Sequence, residues 1–361
     1  MESARVELLL NEQQTLLADT ATRLAADIAG PQRARALRDA GNELDRDAWR
    51  AVIDAGWLAT VVTEQHSGLG LGLFDLALTL EQAGRRILMA PLAEAAAAAW
   101  VLSRSGGDAA TLAAVLDGSR LILPATRPSS WAMGGGLSGG ADAATLNGAV
   151  PFVPFAPSAD AFLVATSTIV AVVDRVAAGV AVDTKTQVDG ATASMVRLTN
   201  ATPAEVLARG ADAQRLTAGL QDFLALAAGA ELLGLAAGAQ EITLDYIKLR
   251  QQFGKPIGSF QILQHRAVDG FIDVELNRSL LYRVAAAFDA GEHHSAMASA
   301  VKARTARAAL TATRAALQMH GAIGYTDTHD IGLYYKRALA LAARYGGELD
   351  HTARFSELTH A

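Results

Sequence analysis

The 361-residue chain predicts an α+β protein in three parts: an N-terminal helical domain, a middle β-sandwich or barrel, and a C-terminal antiparallel four-helix bundle. Three observations predict it. Apolar residues recur at helical spacing through the first 118 residues, short β-prone runs broken by turn residues occupy 119–207, and long helical patterns fill 208–361. The chain is too long for one simple core, and at 51% hydrophobic and 19% charged it has ample apolar surface to bury.

In chain order, Leu8 to about Ala29 offers Leu9, Leu16, Leu17, Leu24 and Ile28 as one buried stripe, and Gly30-Pro31 is expected to stop that helix. Asp45 to Leu58 reads as a second helix with Asp45 as N-cap and Trp49, Val52, Ile53 and Trp57 on the apolar side, weakened near its end by Gly56. A glycine-punctuated loop from Thr63 to Gly72 precedes an amphipathic run, Leu73 to Ile87; helices over Ala90 to Leu102 and Ala109 to Leu116 complete the first domain. Strands are expected at Leu121–Leu123, Ala161–Ala165, Ile169–Val173 and Ser194–Leu198, ending near Pro203, with Asn147-Gly148 as a turn signal. Helices are expected at Leu216–Leu249, Phe260–Asp289, Met297–Met319 and about Asp330–Tyr345.

Composition narrows the function. The net charge of −6 and the lack of a basic stripe point away from nucleic acid, and the absence of Cys excludes disulfides and thiolate chemistry. Ala90 to Leu102 is too short to span a bilayer, the first residues lack a secretory layout, and a soluble cytoplasmic protein without a membrane span is expected. The eight His residues form no pair suited to a metal, and His293-His294 reads as a solvated loop pair.

Two segments carry chemistry. Arg250-Gln251-Gln252-Phe253-Gly254-Lys255-Pro256-Ile257-Gly258-Ser259-Phe260-Gln261 sets a permanent cation and an amide around a helix break, a layout suited to a phosphate or pyrophosphate. Gln318-Met319-His320-Gly321-Ala322-Ile323-Gly324-Tyr325 closes another helix with a bare, glycine-rich turn that a large ligand can approach. Together they resemble the acyl-CoA dehydrogenase family pattern of Arg, two residues, Phe-Gly, then Gln, followed later by Gln-x-x-Gly-Gly-x-Gly-Tyr. Only Ala322 departs from it, standing for a family Gly. The three-part order also resembles that family, over nearly the full length. The resemblance implies that Arg250, Phe253, Gln261, Gln318, Gly321 and Ala322 contact FAD, across a subunit interface in the neighbour's site. It further implies an acyl-CoA substrate and an electron-transfer flavoprotein as acceptor.

Other family features are missing. The reaction needs a carboxylate at the substrate α-carbon in a water-poor site. The family's Tyr-Glu-Gly-Thr turn reads Arg344-Tyr345-Gly346-Gly347-Glu348 here, with Gly346 in the Glu place; Glu348 is the candidate that remains and needs a different loop path. A second family position for the base, on the helix before Arg250, is Leu224. Asp222 lies roughly 200° around that helix from it, and Glu231 lies about 10 Å along the axis. An interhelical or intersubunit salt bridge is expected for Glu231, and surface exposure for Asp222 and Glu348. The family's Thr-Glu-Pro-x-Ala-Gly-Ser-Asp cradle is replaced by Leu123 to Trp131, and its flavin-covering Trp by Phe152.

The residues expected to serve a neighbour's FAD are kept, and those expected to serve this chain's own are lost. The expectation is a catalytically deficient subunit of a hetero-oligomeric acyl-CoA dehydrogenase, of the kind that handles steroid side-chain thioesters. A self-sufficient homotetramer with a relocated base such as Glu348, a non-enzymatic scaffold, and a flavin oxidase or monooxygenase on the same fold stay open.

Overall fold

A computed structural model describes residues 10–41, 43–126, 144–292 and 295–360. The chain begins with helix α1 (Glu12–Ile28), whose start is fixed by a capping box: Asn11 Oδ1 accepts from Gln14 N at 2.8 Å and Gln14 Oε1 accepts from Asn11 N at 3.1 Å. Its buried residues are Ala21, Ala25 and the expected Ile28; Leu17 and Leu24 are half-buried, Leu16 is 64% exposed, and Leu9 lies outside the described residues. That helix ends at Ile28, before Gly30-Pro31 as expected, and Pro31 then opens α2 (Pro31–Asp39), because a first-turn position needs no amide proton. Asp45 caps α3 (Arg46–Asp54) through the amides of Asp47 and Ala48. Gly56, at φ +71°, breaks the longer helix expected there, and Trp57 is buried in a separate 3-10 turn, Trp57–Val61. Helices α4 (Leu73–Arg85), α5 (Leu92–Ser105) and α6 (Ala109–Leu116) follow as expected.

The middle region holds two sheets. Strand β1 (Ile122–Thr126) pairs in parallel with β3 (Ala161–Ala165), which continues antiparallel to β4 (Ile169–Asp174) and then β7 (Glu205–Arg209). The second sheet is antiparallel, with β6 (Thr192–Ala201) between β2 (Leu146–Pro154) and β5 (Val180–Thr186). Asn147-Gly148 lies inside β2 at a register shift, where Asn147 Oδ1 accepts from Asn200 N at 2.8 Å. The same dipeptide that favours turns thus forms a bulge here.

The C-terminal part begins with α7 (Gly210–Leu249), six residues earlier than expected. It is long and apolar enough to cross a membrane, yet its most apolar stretch is entirely buried, as in a core helix. A two-residue hairpin, β8 (Gln251–Gln252) and β9 (Lys255–Pro256), leads to α8 (Gln261–Asp289), then α9 (Ser295–His320), α10 (Ile331–Ala343) and a further helix, α11 (Glu348–His360). The expected bundle of four helices is therefore extended by a fifth. His293-His294 lies outside the described residues, as do Arg127 to Trp131 of the cradle stretch and the chain just before β2.

These elements form two compact units, one of residues up to Ala34, Ala77–Leu88 and from Ala225 on, the other of Arg35–Leu76 and Met89–Leu224. In the first, α4 and α7 meet at backbone distance. A Cβ on Gly234 would lie 2.0 Å from Glu81 O, and one on Gly84 would lie 2.2 Å from Glu231 O, so only glycine fits. Glu81, 2% exposed, accepts from Arg278 Nη2 at 2.8 Å and Tyr282 Oη at 2.9 Å. A buried carboxylate needs such partners, because their loss would leave its charge uncompensated.

Candidate functional site

Arg250 ends α7 at the surface, its amide still bonded to Tyr246 O at 2.8 Å and its carbonyl accepting from Ile257 N at 2.8 Å. Between these bonds the hairpin turns on Phe253 (φ +54°) and Gly254 (φ +79°), two left-handed residues in succession, as a tight two-residue hairpin requires. Phe253 sits at the tip with 90% of its surface exposed and meets Phe260 edge-on at 6.1 Å. Lys255 Nζ lies 4.4 Å from the centre of the Phe260 ring. Helix α8 then begins at Gln261 without a side-chain cap, although the amides of Leu263 and Gln264 donate to Phe260 O at 3.0 and 3.2 Å. An uncapped N-terminus with nearby cations suits an anionic group.

The second segment lies alongside. Tyr246, one turn before Arg250, stacks on the His320 ring at 4.3 Å, and its hydroxyl donates to His320 O at 3.4 Å. Gln318 is exposed in the last turn of α9, Gly321 and Ala322 are exposed on the 3-10 turn that follows, Gly321–Tyr325, and Gly321 takes φ +68°. Ala322 is not among the residues with positive φ, so nothing in its backbone requires the glycine of the family pattern. The same helix that starts at Gln261 also carries an exposed apolar stripe, Val268, Phe271, Ile272 and Leu276, each 48–59% exposed. Its i, i+3, i+4, i+8 spacing was readable in the sequence but passes equally well for a buried face.

The acids are placed differently. Glu348 is the first residue of α11, and its carboxylate accepts from Arg307 Nε at 2.8 Å and from Arg307 Nη2. Two residues back, Gly346 takes φ +104° and is buried. Its carbonyl accepts from Lys302 Nζ at 2.8 Å, Ala342 O accepts from the same amine at 2.9 Å, and Tyr345 O lies 3.0 Å from His351 Nε2. Burial pushes the Lys302 ammonium down to about 7, with Arg344 adding repulsion and Asp350 offsetting part of it. Burial and then the Lys302 charge push His351 down to about 4. Nothing in the sequence distinguishes this lysine from the solvated ones.

Glu231 forms the interhelical ion pair foreseen as one alternative, 3.8 Å from Arg337, with both side chains buried. Asp222 is 1% exposed, contrary to the surface position expected of it, because α7 is buried all round there. Phe152 projects from a bulge of β2 at φ +61° and is 62% exposed. In the same unit, a cavity of about 380 Å³ opens beside Arg104, Leu207 and Leu216, with Asp212 paired to Arg215 in its wall.

Comparison with known proteins follows this layout. Residues 11–111 match the acyl-CoA dehydrogenase N-terminal domain and residues 215–349 the acyl-CoA dehydrogenase C-terminal domain. Acyl-CoA dehydrogenase IpdE2 of Mycolicibacterium smegmatis is 30% identical over 340 residues, covering 93% of this chain and 96% of the relative. The chain belongs to the acyl-CoA dehydrogenase family. Membership places it among FAD-dependent oxidoreductases, as the Arg250 and Gln318 segments led us to expect. Acyl-CoA dehydrogenase FadE28 of Mycobacterium tuberculosis is also 30% identical, over 84% of this chain and 90% of that one. Among solved structures, the Tcur3481-Tcur3483 steroid ACAD G363A variant matches at a TM-score of 0.87 and 27% identity, covering 97% of this chain and 98% of that one. The ChsE4-ChsE5 complex from Mycobacterium tuberculosis shares the fold at a TM-score of 0.88 and 24% identity, covering 98% and 99%.

Proposed function

We propose that the chain is a subunit of an FAD-dependent acyl-CoA dehydrogenase that lacks its own catalytic base and completes the FAD site of a different acyl-CoA dehydrogenase chain. The observation that carries this reading is the outward presentation of one residue set. Arg250, Phe253, Gln261, Gln318, Gly321 and Ala322 are all exposed, and the helix beginning at Gln261 leaves an apolar stripe open to a second subunit. Contiguous exposed apolar surface of this kind marks an association site. When bound, FAD accepts the hydride from the β-carbon of the acyl thioester. Arg250 would hold its pyrophosphate with Gln261 adding a neutral hydrogen bond, Phe253 would cover an apolar part of it, and Gln318 with the Gly321 backbone would border it.

Two further observations support the missing base. Gly346 holds a left-handed backbone that a Glu would enter only under strain, and Glu348 is committed to Arg307. The name of the solved steroid ACAD favours a bulky, steroid-derived acyl-CoA as substrate, and the resemblance to the family implies an electron-transfer flavoprotein as acceptor. Purification tests the reading. Expressed alone, the chain should be colourless and inactive; expressed with an acyl-CoA dehydrogenase chain of its host, it should co-purify as a yellow, active complex. Arg250→Ala in that complex should weaken FAD binding by about tenfold to a hundredfold, the worth of one charge-assisted contact. A yellow, active protein from this chain alone would favour instead the self-sufficient homotetramer, for which the exposed Phe152 ring offers a place for a flavin.

A further inference from the structure

The exposed turn after α9 rests on α9 and α10, and one end of it is seated firmly. Gln318, Gly321 and Ala322 face solvent, whereas His320 is 3% exposed and Gly324 is buried. A Cβ on Gly324 would stand 3.2 Å from both His320 Cβ and Ile331 Cγ2, so this end of the turn is seated on His320 and α10. At the other end Gly321 takes φ +68°, with nothing within 4 Å of the place where a Cβ would stand. His320 itself is fixed on one side by Nδ1–H donating to Ala316 O at 2.8 Å. Its ring is then clamped by Tyr246 at 4.3 Å, nearly parallel, and by His329 at 4.5 Å. His329 is held in turn by accepting from Ile331 N at 3.2 Å.

Tyr246 is the only member of this stack on α7, and it stands one helical turn before Arg250, on the same row of that helix. Its carbonyl accepts the Arg250 amide at 2.8 Å, while its hydroxyl reaches His320 O, the carbonyl that enters the Gly321 turn. Tyr246 therefore joins the two segments: its backbone belongs to the helix that ends at Arg250, and its side chain holds the ring and the carbonyl of His320, from which the Gly321 turn departs.

We propose that Tyr246 is a positioning residue for the FAD-facing surface: by stacking on His320 it fixes the Gly321 turn relative to Arg250, so that both grip one ligand in one geometry. This rests on the reading given above. Pre-set geometry raises affinity by removing the ordering cost of binding. The test uses the co-purified complex and reads its FAD dissociation constant, its flavin absorption spectrum and its melting temperature. Tyr246→Leu should weaken FAD binding about tenfold and alter the flavin band shape, with the melting temperature unchanged. Tyr246→Phe, which keeps the ring, should restore binding to within about twofold. If Tyr246→Leu does not assemble, His320→Gln, which removes the stacking ring and keeps the main-chain carbonyl, should show the same weakening. Normal FAD binding in these variants while Arg250→Ala loses FAD would overturn the inference, as would weakening matched by an equal loss of thermal stability. If Arg250→Ala also binds FAD normally, it is the underlying reading that falls.

Discussion

Two turns of the same unit end two neighbouring helices, and they are built in opposite ways. After α9, the Gly321–Tyr325 turn leaves its backbone and most side chains in solvent. After α10, the Arg344–Gly347 turn also uses left-handed residues, Tyr345 at φ +58° and Gly346 at +104°, but its carbonyls are taken up by Lys302 and His351. The first turn presents exposed residues to another molecule. The second has spent its hydrogen-bonding capacity inward, so the stretch where the family pattern carries its base is here part of the core.

The strongest way to probe that difference is pH. Unfolded, Lys302 titrates near its ordinary 10.5; folded, it is pushed to about 7. Between those values the unfolded chain binds more protons, so stability falls as pH drops from 10.5 to 7, by on the order of 3–4 kcal/mol. Thermal unfolding at pH 7 and pH 10 should show that slope in the native protein and a flatter one in Lys302→Met. His351, pushed to about 4, should add a further loss as pH falls from 6.5 to 4. Equal pH slopes in native protein and Lys302→Met would mean that the amine is not the buried anchor of the second turn.

A smaller effect is expected from putting the missing carboxylate back. Gly346→Glu places a side chain on a backbone at φ +104° and should cost about 1–3 kcal/mol without giving this chain activity on its own. Full stability with new activity would show that the turn is not closed to a base. The smallest change is expected from Glu348→Gln. Its partner Arg307 is 65% exposed, and exposed pairs contribute roughly 0–1 kcal/mol, so the co-purified complex should keep its stability and its turnover. Loss of turnover would instead make Glu348 the relocated base.

How much of this was legible depended on where each residue ended up. The middle of helix α7 and strands β3 and β4 were readable because continuous apolar runs are buried there on all sides. Strands β5 and β7 were not, since both lie at sheet edges and carry polar residues that blur a strand pattern. Helix α11 escaped notice because its one buried residue among those described is His351, leaving no apolar stripe. Arg250, Phe253, Gln261 and Gln318 could be singled out because they fall in two short segments that together match a family pattern. Tyr246 could not, because its partner His320 is 74 residues away and only the folded chain brings the rings together. Lys302 was hidden for the same reason: a lysine in an alanine-rich helix looks solvated until α10 and α11 close over it.

Phe253 carries a consequence of its own. A phenylalanine disfavours a left-handed backbone, yet the Gln251–Pro256 hairpin holds it there with the ring outward. The ring therefore need not be moulded by an incoming protein. Docking at this tip should proceed as a collision between ready-made shapes, at a rate governed by diffusion and orientation rather than by local folding.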